Sequence, residues 1–299
     1  MVEEVLSFLA PERGGIYLDG TLGGGGHAES ILTRSPTASL IGIDRDPDAL
    51  ARASERLAPF GERVRVVQAN YAGAVAAAGV APGSLQGVLL DLGISSHQID
   101  EDRRGFTFRS GASLDMRMGQ DDAGEESAAD LLNSLQEEEL ATIFYRYGEE
   151  RRSRRLAHIL VEMREEAPIE TSDQLVRAIE RSLVRPTIQD RARIFQALRI
   201  AVNREIESLE TALPRFFDAL APDGVFVVLS YHSLEDRLVK DRFREWSQSC
   251  VCPPRMPVCS CRGVALGTLL TRKSVVASEA EVAANPRARS ARLRAWRRA

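Results

Sequence analysis

The chain has 299 residues, 44% of them hydrophobic, so it can bury one large core or two smaller ones. Its formal net charge of -4 argues against a wholly polycationic surface of the kind that coats nucleic acid. Glu3 and Glu4 replace the basic region of a signal peptide, and no apolar stretch approaches the roughly 20 residues that a membrane span requires. We therefore expect a cytoplasmic protein with no membrane anchor.

Short apolar runs alternate with helical patterns over the first hundred residues, which is typical of βαβ units and a parallel sheet. Asp46 and Pro47 provide an N-cap and a first-turn proline for a helix that continues to about Leu57. The pattern predicts a doubly wound, Rossmann-like α/β fold with strands at 15–19, 39–44, 63–68 and 87–91.

The next strand of similar quality, 224–230, follows a helix that runs from about Glu205 to Leu220. The gap before it far exceeds the roughly 30 residues of a βαβ crossover, so about a hundred residues must form an insertion. Apolar residues within this insertion recur at helical spacing. We predict an α/β core built from two segments, 1–103 and 200–299, the second ending in a basic tail, with an all-helical inserted domain, 104–199, between them.

The basic tail, 285–299, contains no acidic residue. Such a density of arginine suits contact with phosphate groups, and a solvated basic tail is the alternative interpretation. Its arginines are Arg287, Arg289, Arg292, Arg294, Arg297 and Arg298.

The most informative chemical segment is DGTLGGGGH, which begins at Asp19, where the first strand ends, and finishes at His27. Its glycines, among them Gly25 and Gly26, allow the backbone to approach a ligand closely. A carboxylate at Asp19 would repel a pyrophosphate but suits the ammonium group of a methionine moiety. S-adenosylmethionine is therefore the favoured cofactor, with an NAD oxidoreductase and a tight turn without ligand as alternatives.

Two further residues suit an adenosine cofactor. Asp44 ends the second strand, where a carboxylate accepts ribose hydroxyls in dinucleotide folds, although a role in capping the next helix is the alternative. Tyr71 follows the third strand, where its ring could stack on adenine or simply line the rim.

The acceptor side of the site is predicted at the ends of two later strands, in the segments DLGISSHQ from Asp91 and SYHSLEDR from Ser230. We expect Asp91 or the neighbouring backbone to accept a proton from the substrate, with Ser95, His232 and Ser233 as lesser candidates. Residues of the second segment are also normal helix-starting residues, so a structural role is the alternative.

All four cysteines lie close together in sequence, which excludes a disulfide framework for the whole fold. Four thiolates could bind zinc, but C-x-C is tighter than the usual C-x-x-C spacing, and reduced thiols are the favoured interpretation. We expect no metal in catalysis. The residues are Cys250, Cys252, Cys259 and Cys261.

Nine segments in order resemble the MraW family, also called ribosomal small-subunit methyltransferase H. They are DGTLGGGGH at Asp19, IDRDP at Ile43, LLDLGISS at Leu89, RGFTF at Arg104, LDMRM at Leu114, YGEER at Tyr147, FQALRIAVN at Phe195, SYHSLEDR at Ser230 and NPRARS at Asn285. Members usually carry a His-x-Pro-Val segment upstream of the sequence at Glu3, which is compatible with a native start before Met1.

The resemblance implies a methyltransferase core with an inserted helical domain, and S-adenosylmethionine-dependent N4-methylation of a cytidine in the decoding region of 16S rRNA, on the small ribosomal subunit. It implies cofactor contacts at Gly25, Gly26, His27, Asp44, Tyr71, Asp91 and Gln98. A DNA amino-methyltransferase and a noncatalytic rRNA-binding assembly factor are the alternatives.

A cluster of arginines in the insertion is the best candidate for gripping RNA phosphates, and a solvated helix face paired with Glu149 and Glu150 is the alternative. The cluster consists of Arg151, Arg152, Arg154 and Arg155.

The sequence does not determine the oligomeric state, and a dimer is compatible with it.

Overall fold

The computed structural model describes residues 1–119, 124–253 and 260–299 and divides the chain into two compact units. The core unit comprises Met1–Gly93 and Ile206–Ala299, and the helical unit comprises Ile94–Glu205. Within the described residues, no helix combines the length and apolar character needed to cross a membrane.

The sheet of the core unit begins with five parallel strands in the order β3-β2-β1-β4-β5. This order, with its reversal at β1, is that of a Rossmann-like α/β sheet, and the predicted fold class is confirmed. The strands are β1 (Gly15–Asp19), β2 (Ala38–Asp44), β3 (Val64–Gln68), β4 (Leu85–Asp91) and β5 (Leu220–Ser230).

The helices of the core unit are α1 (Val2–Leu9), α2 (Gly26–Arg34), α3 (Pro47–Leu57) and α4 (Ala74–Ala77), and later α12 (Ser233–Trp246) and α13 (Glu279–Ala284). Those of the helical unit are α5 (Ser96–Asp100), α6 (Ala128–Ser134), α7 (Glu137–Gly148), α8 (Ser153–Glu166), α9 (Ser172–Ser182) and α10 (Ile188–Asn203). Helix α11 (Glu205–Ala219) leads from the helical unit back to β5.

Both faces of the sheet are covered, as expected for parallel strands. Along β5, Phe226 and Val228 enter one apolar cluster, whereas Val227 and Leu229 enter the cluster on the opposite face. This alternation fixes the register of β5, because a shift by one residue would exchange the two faces.

The basic tail is not a solvated arm, because its second half forms a strand inside the sheet. The strand β8 (Arg292–Arg298) pairs antiparallel with β5, and the short strands β6 (Gly267–Leu269) and β7 (Val275–Val276) pair with its other edge. Arg294 is 8% exposed and forms a bidentate ion pair with Asp236 at 2.7 and 2.9 Å. Arginine at four of the seven positions concealed this strand from the sequence pattern, since Arg292 and Arg297 are exposed and Asp236 compensates the charge of Arg294.

The helical unit has its own core, formed mainly where α10 and α8 pack against α7. Its loop before α6 is fixed by the buried Asn203, whose amide accepts from the Met118 backbone N–H at 2.8 Å and donates to the Met116 carbonyl at 2.7 Å. Arg104 is also buried and donates to the Met118 carbonyl at 2.9 Å.

These contacts explain why the helical unit is longer than the predicted insertion, 104–199. Helix α10 continues past residue 199 to Asn203, which belongs to the core of the unit. At the other end, the unit begins at Ile94, which packs against the same apolar cluster.

We predict that the Trp296→Ala variant unfolds at a lower urea concentration than the wild type, with a loss of about 3 to 5 kcal/mol. Trp296 is fully buried, lies 5.2 Å from the ring of Trp246 and donates its indole N–H to the Ser247 hydroxyl at 3.0 Å. The control is Arg297→Ala, at the exposed neighbour on the same strand, which should change stability by less than about 0.5 kcal/mol. Equal losses in the two variants would contradict a buried role for β8.

Candidate active site

The glycine turn joins β1 to α2 at the carboxyl edge of the sheet. Gly25 is the N-cap of α2 and adopts φ 78°, the left-handed region that favours glycine. A Cβ placed on Gly24 would meet no atom within 4 Å, so the backbone at this point borders open space. A ligand can therefore approach the peptide groups of the turn closely, at the amino end of a helix.

Asp19 lies beneath this turn and is only 1% exposed. Its carboxylate accepts a hydrogen bond from the Thr21 backbone N–H at 3.1 Å. Burial raises the pKa of Asp19 to about 7, although the nearby His27 and the Thr21 N–H oppose the shift. A carboxylate with so little exposed surface supports the turn, so the structure does not favour the predicted direct contact with a ligand ammonium group.

Asp44 connects the end of β2 to the same turn. One carboxylate oxygen accepts from the Gly23 N–H at 2.7 Å, and the other accepts from the Asp46 N–H at 2.9 Å. Burial raises the pKa of Asp44 above its usual value. The helix-capping role belongs to Asp46, whose side chain accepts from the Asp48 N–H at 3.1 Å. Asp44 is therefore not the N-cap of α3. Its carboxylate oxygens have further lone pairs that can accept hydrogen bonds from a ligand.

Asp91, at the end of β4, is the centre of a polar cluster. The Tyr231 hydroxyl donates to its Oδ1 at 2.8 Å, and Nε2 of His27 lies 3.5 Å from its Oδ2. The Asp91 backbone N–H donates to the Thr21 hydroxyl at 2.6 Å. The Asp91 side chain is 29% exposed, so it is accessible from solvent.

The charge of Asp91 affects both of its partners. Burial lowers the pKa of His27, but the hydrogen bond and charge of Asp91, together with the charge of Asp19, outweigh it and raise the pKa above the usual value. The pKa of Tyr231 is also raised, first by burial and then by the Asp91 carboxylate. Tyr231 is therefore a hydrogen-bond donor at neutral pH.

Tyr71 begins a short 3-10 turn after β3 and is half-buried against the core. A Cβ on Gly20, next to Asp19, would lie 3.5 Å from the Cβ of Tyr71. Tyr71 thus lies beside the start of the glycine turn, in the region predicted for an adenine.

His232 and Ser233 occupy structural positions at the start of α12. His232 is the N-cap, and its Nδ1 accepts from the Glu235 N–H at 3.5 Å while Nε2 lies 3.0 Å from the Glu235 carboxylate. Ser233 is exposed at the first helical residue. The capping interpretation of this segment describes these two residues better than a catalytic one.

Ser95 and Gln98 belong to the helical unit, where they bond to each other. The Ser95 backbone N–H donates to the Gln98 side-chain oxygen at 2.9 Å, and the Gln98 N–H donates to the Ser95 hydroxyl at 3.2 Å. Gln98 is 5% exposed. This reciprocal pair starts α5, which gives both side chains a capping role.

The predicted arginine cluster is exposed at the start of α8. Glu150, proposed as an alternative partner, is buried. It accepts from the Arg152 backbone N–H at 2.8 Å and lies 3.5 Å from Arg193.

Of the four cysteines, Cys259 lies outside the described residues.

Thr21 and Tyr231 are site residues that the sequence did not single out. Thr21 links Asp19 to Asp91, and Tyr231 bonds to Asp91 across 140 residues of chain. One signal was present for Tyr231. It directly follows β5, the strand beside β4, and the ends of neighbouring parallel strands meet at one edge of a sheet.

A family model described as the MraW methylase family matches residues 1–299. A Ribosomal RNA small subunit methyltransferase H from Geotalea uraniireducens is 52% identical over 301 residues, covering 99% of this chain and 96% of that protein. A protein of the same name from Gemmatimonas aurantiaca is 53% identical over 285 residues, covering 94% and 89%. A solved structure of an rRNA methylase from Streptococcus thermophilus is similar with a TM-score of 0.45 and 10% identity, covering 99% and 95%.

We predict that Asp19→Asn reduces the loss of stability that occurs as the pH rises. The folded protein holds the Asp19 proton up to about pH 7, whereas the unfolded chain releases it near the ordinary value of 3.8. Between these values the folded state binds more protons, so its free energy of unfolding falls as pH rises. Between pH 5 and pH 8 the variant should gain about 2 to 4 kcal/mol relative to the wild type, in urea titrations without ligand. The exposed Asp218→Asn should show no such gain.

We predict that Asp91→Asn lowers the pKa of His27, because the hydrogen bond and the negative charge that raise it are removed. The chain has only four histidines, so the ring can be followed by NMR titration. Tyr231→Phe is the matched control, since it removes a partner of Asp91 but keeps the carboxylate, and His27 should keep its raised pKa. An unchanged His27 titration in Asp91→Asn would refute the coupling.

Proposed function

Because this chain belongs to the MraW methylase family, we propose that it transfers a methyl group from S-adenosylmethionine to N4 of a cytidine in 16S rRNA. Methylation of small-subunit ribosomal RNA is the activity named for its relatives, which are about half identical over nearly the whole chain. The target cytidine lies in the decoding region, and the small ribosomal subunit is the substrate.

The observation that carries this proposal is the group of three carboxylates at the ends of neighbouring strands, Asp44 on β2, Asp19 on β1 and Asp91 on β4. These acidic groups surround a glycine turn at a helix amino end. A pyrophosphate would meet repulsion here, whereas a cationic sulfonium ligand with an ammonium group would be attracted. The electrostatics therefore favour S-adenosylmethionine over NAD.

We assign the contacts with the cofactor by exposure and hydrogen bonding. Asp44 accepts from backbone N–H groups, including those of Gly23 and Asp46, and retains acceptor capacity for ribose hydroxyls. Gly26 and His27 line the turn on the α2 side, and Tyr71 supplies an aromatic ring beside it. Asp19 contributes indirectly, because its carboxylate accepts from the Thr21 N–H and so supports the turn.

The sulfonium supplies an activated methyl group, so the main task of the protein is to align the amine with the methyl carbon and exclude water. Cytosine N4 is a weak nucleophile because its lone pair is delocalised into the ring. An acceptor must hold an amine N–H and take its proton as the nitrogen–carbon bond forms and the carbon–sulfur bond breaks.

We propose Asp91 as this acceptor. Its carboxylate is partly exposed at the edge of the sheet, unlike that of Asp19. The Tyr231 hydroxyl and the His27 ring approach different oxygens, which fixes the orientation of the carboxylate and leaves lone pairs for the amine. Tyr231 and His27 are positioning residues for this step, and the capped His232 is not required.

The RNA partner needs a cationic surface despite the net negative charge of the chain. Four exposed arginines provide one, two in the turn before α8 and two in its first turn: Arg151, Arg152, Arg154 and Arg155. A base inside folded rRNA must also be unstacked before its amine reaches the site, as base-modifying enzymes generally require.

The test is nucleoside mass spectrometry of 16S rRNA after incubation of undermethylated small subunits with the protein and S-adenosylmethionine. We expect N4-methylated cytidine from the wild type and a decrease of about 100-fold or more in the rate with Asp91→Asn. Asp218→Asn is the control, because it removes an exposed carboxylate near the opposite end of β5 and should keep full activity.

Calorimetry with S-adenosylmethionine separates binding from chemistry in the same variants. Full turnover by Asp91→Asn would exclude this residue as the proton acceptor. Methylation of duplex DNA but not of the subunit would overturn the substrate, and the absence of any methyl transfer by a wild type that binds the cofactor would favour an assembly factor.

A further inference from the structure

Three cysteines come together in the segment that follows α12. The sulfur atoms of Cys250, Cys252 and Cys261 all lie within 4.8 Å of one another. Cys250 is exposed, and the other two are half-buried, so the group lies at the surface of the core unit. No carboxylate of the candidate active site belongs to this cluster, and the proposed methyl transfer does not use it.

The spacing of the sulfur atoms suits a single soft cation. Zinc binds thiolates at about 2.3 Å, which places the sulfurs of a tetrahedral site about 3.8 Å apart. Small rotations of the cysteine side chains are enough to bring separations of up to 4.8 Å to this value. Although C-x-C is a tight spacing in sequence, the fold adds Cys261 from a separate stretch of the loop.

The backbone around the cysteines is arranged to support a thiolate. The Val251 N–H donates to the sulfur of Cys261 at 3.4 Å, which both orients the side chain and favours its negative charge. This bond connects the two ends of the cysteine loop directly.

The loop is also fixed to the rest of the core unit. The Arg262 guanidinium donates to the carbonyls of Gln248 and Val264, both at 3.0 Å, and to that of Glu245. The Leu266 N–H donates to the Trp246 carbonyl at 2.8 Å. Trp246, the last residue of α12, and Arg262, which follows Cys261, are therefore held in place without a metal. This lowers the entropic cost of assembling a site.

We propose that Cys250, Cys252 and Cys261 bind a zinc ion that cross-links the loop between α12 and β6. Binding replaces the three thiol protons, which pass to solvent, by three sulfur–zinc bonds, and a water molecule takes the fourth position of the tetrahedron. The metal has a structural role because it closes a loop next to Trp246 and Trp296, at the edge where β6 joins β8. It is independent of the proposed rRNA methylation.

The experiment measures zinc by elemental mass spectrometry in the full chain, purified without a histidine tag and passed over a chelating resin. We expect about one zinc ion per wild-type chain and loss of the metal from Cys252→Ser and Cys261→Ser. Ser249→Ala is the matched control, since it changes an exposed neighbour but no thiol, and it should retain zinc.

Two further measurements separate metal binding from a folding defect. Cobalt added to the metal-free wild type should produce thiolate-to-cobalt charge-transfer absorption, and the cysteine variants should not. Chelation should lower the melting temperature of the wild type by a few degrees, and restored zinc should reverse this, with no response in Cys252→Ser. A wild type without zinc or cobalt absorption, or equal zinc in all variants, would overturn the proposal.

Discussion

The candidate active site depends on the cost of placing three carboxylates at one edge of a parallel sheet. Like charges at the ends of neighbouring strands repel, and burial disfavours their ionised forms, as the raised pKa of Asp19 and Asp44 shows. The glycine turn offsets this cost with backbone N–H groups, from Thr21 to Asp19 and from Gly23 to Asp44. The same carboxylates that need these donors create a negative field suited to a cationic ligand, so the stability of the turn and the choice of ligand share one cause.

The polar cluster around Asp91 shows how the chain accommodates the long insertion. The helical unit begins just after Asp91 and ends at Glu205, the first residue of α11, which leads to β5 and Tyr231. The two residues bond to each other although they lie on opposite sides of the insertion in sequence. Because β4 and β5 are neighbours in the sheet, the insertion interrupts the chain without interrupting the site.

The C-terminal strand shows that a segment rich in charged residues can still have buried side chains. Four of the seven residues of β8 are arginines, yet Leu293, Ala295 and Trp296 are buried and Arg294 is neutralised by Asp236. The guanidinium of Arg298 donates hydrogen bonds to the carbonyls of Phe217 and Asp218, at the end of α11. Two of the six arginines of the tail, Arg294 and Arg298, are thus used inside the fold, whereas Arg287, Arg289, Arg292 and Arg297 are exposed.

The sequence by itself determined the five parallel strands, the N-cap at Asp46 and the placement of Asp19, Asp44 and Asp91 at strand ends. These features rest on short-range periodicity and turn chemistry, which are readable within about ten residues. Only the tertiary structure decided that Asp19 is buried, that Tyr231 donates to Asp91 and that Asp236 neutralises Arg294. Burial and pairing depend on groups brought together from distant regions of the chain, so no local pattern of residues could specify them.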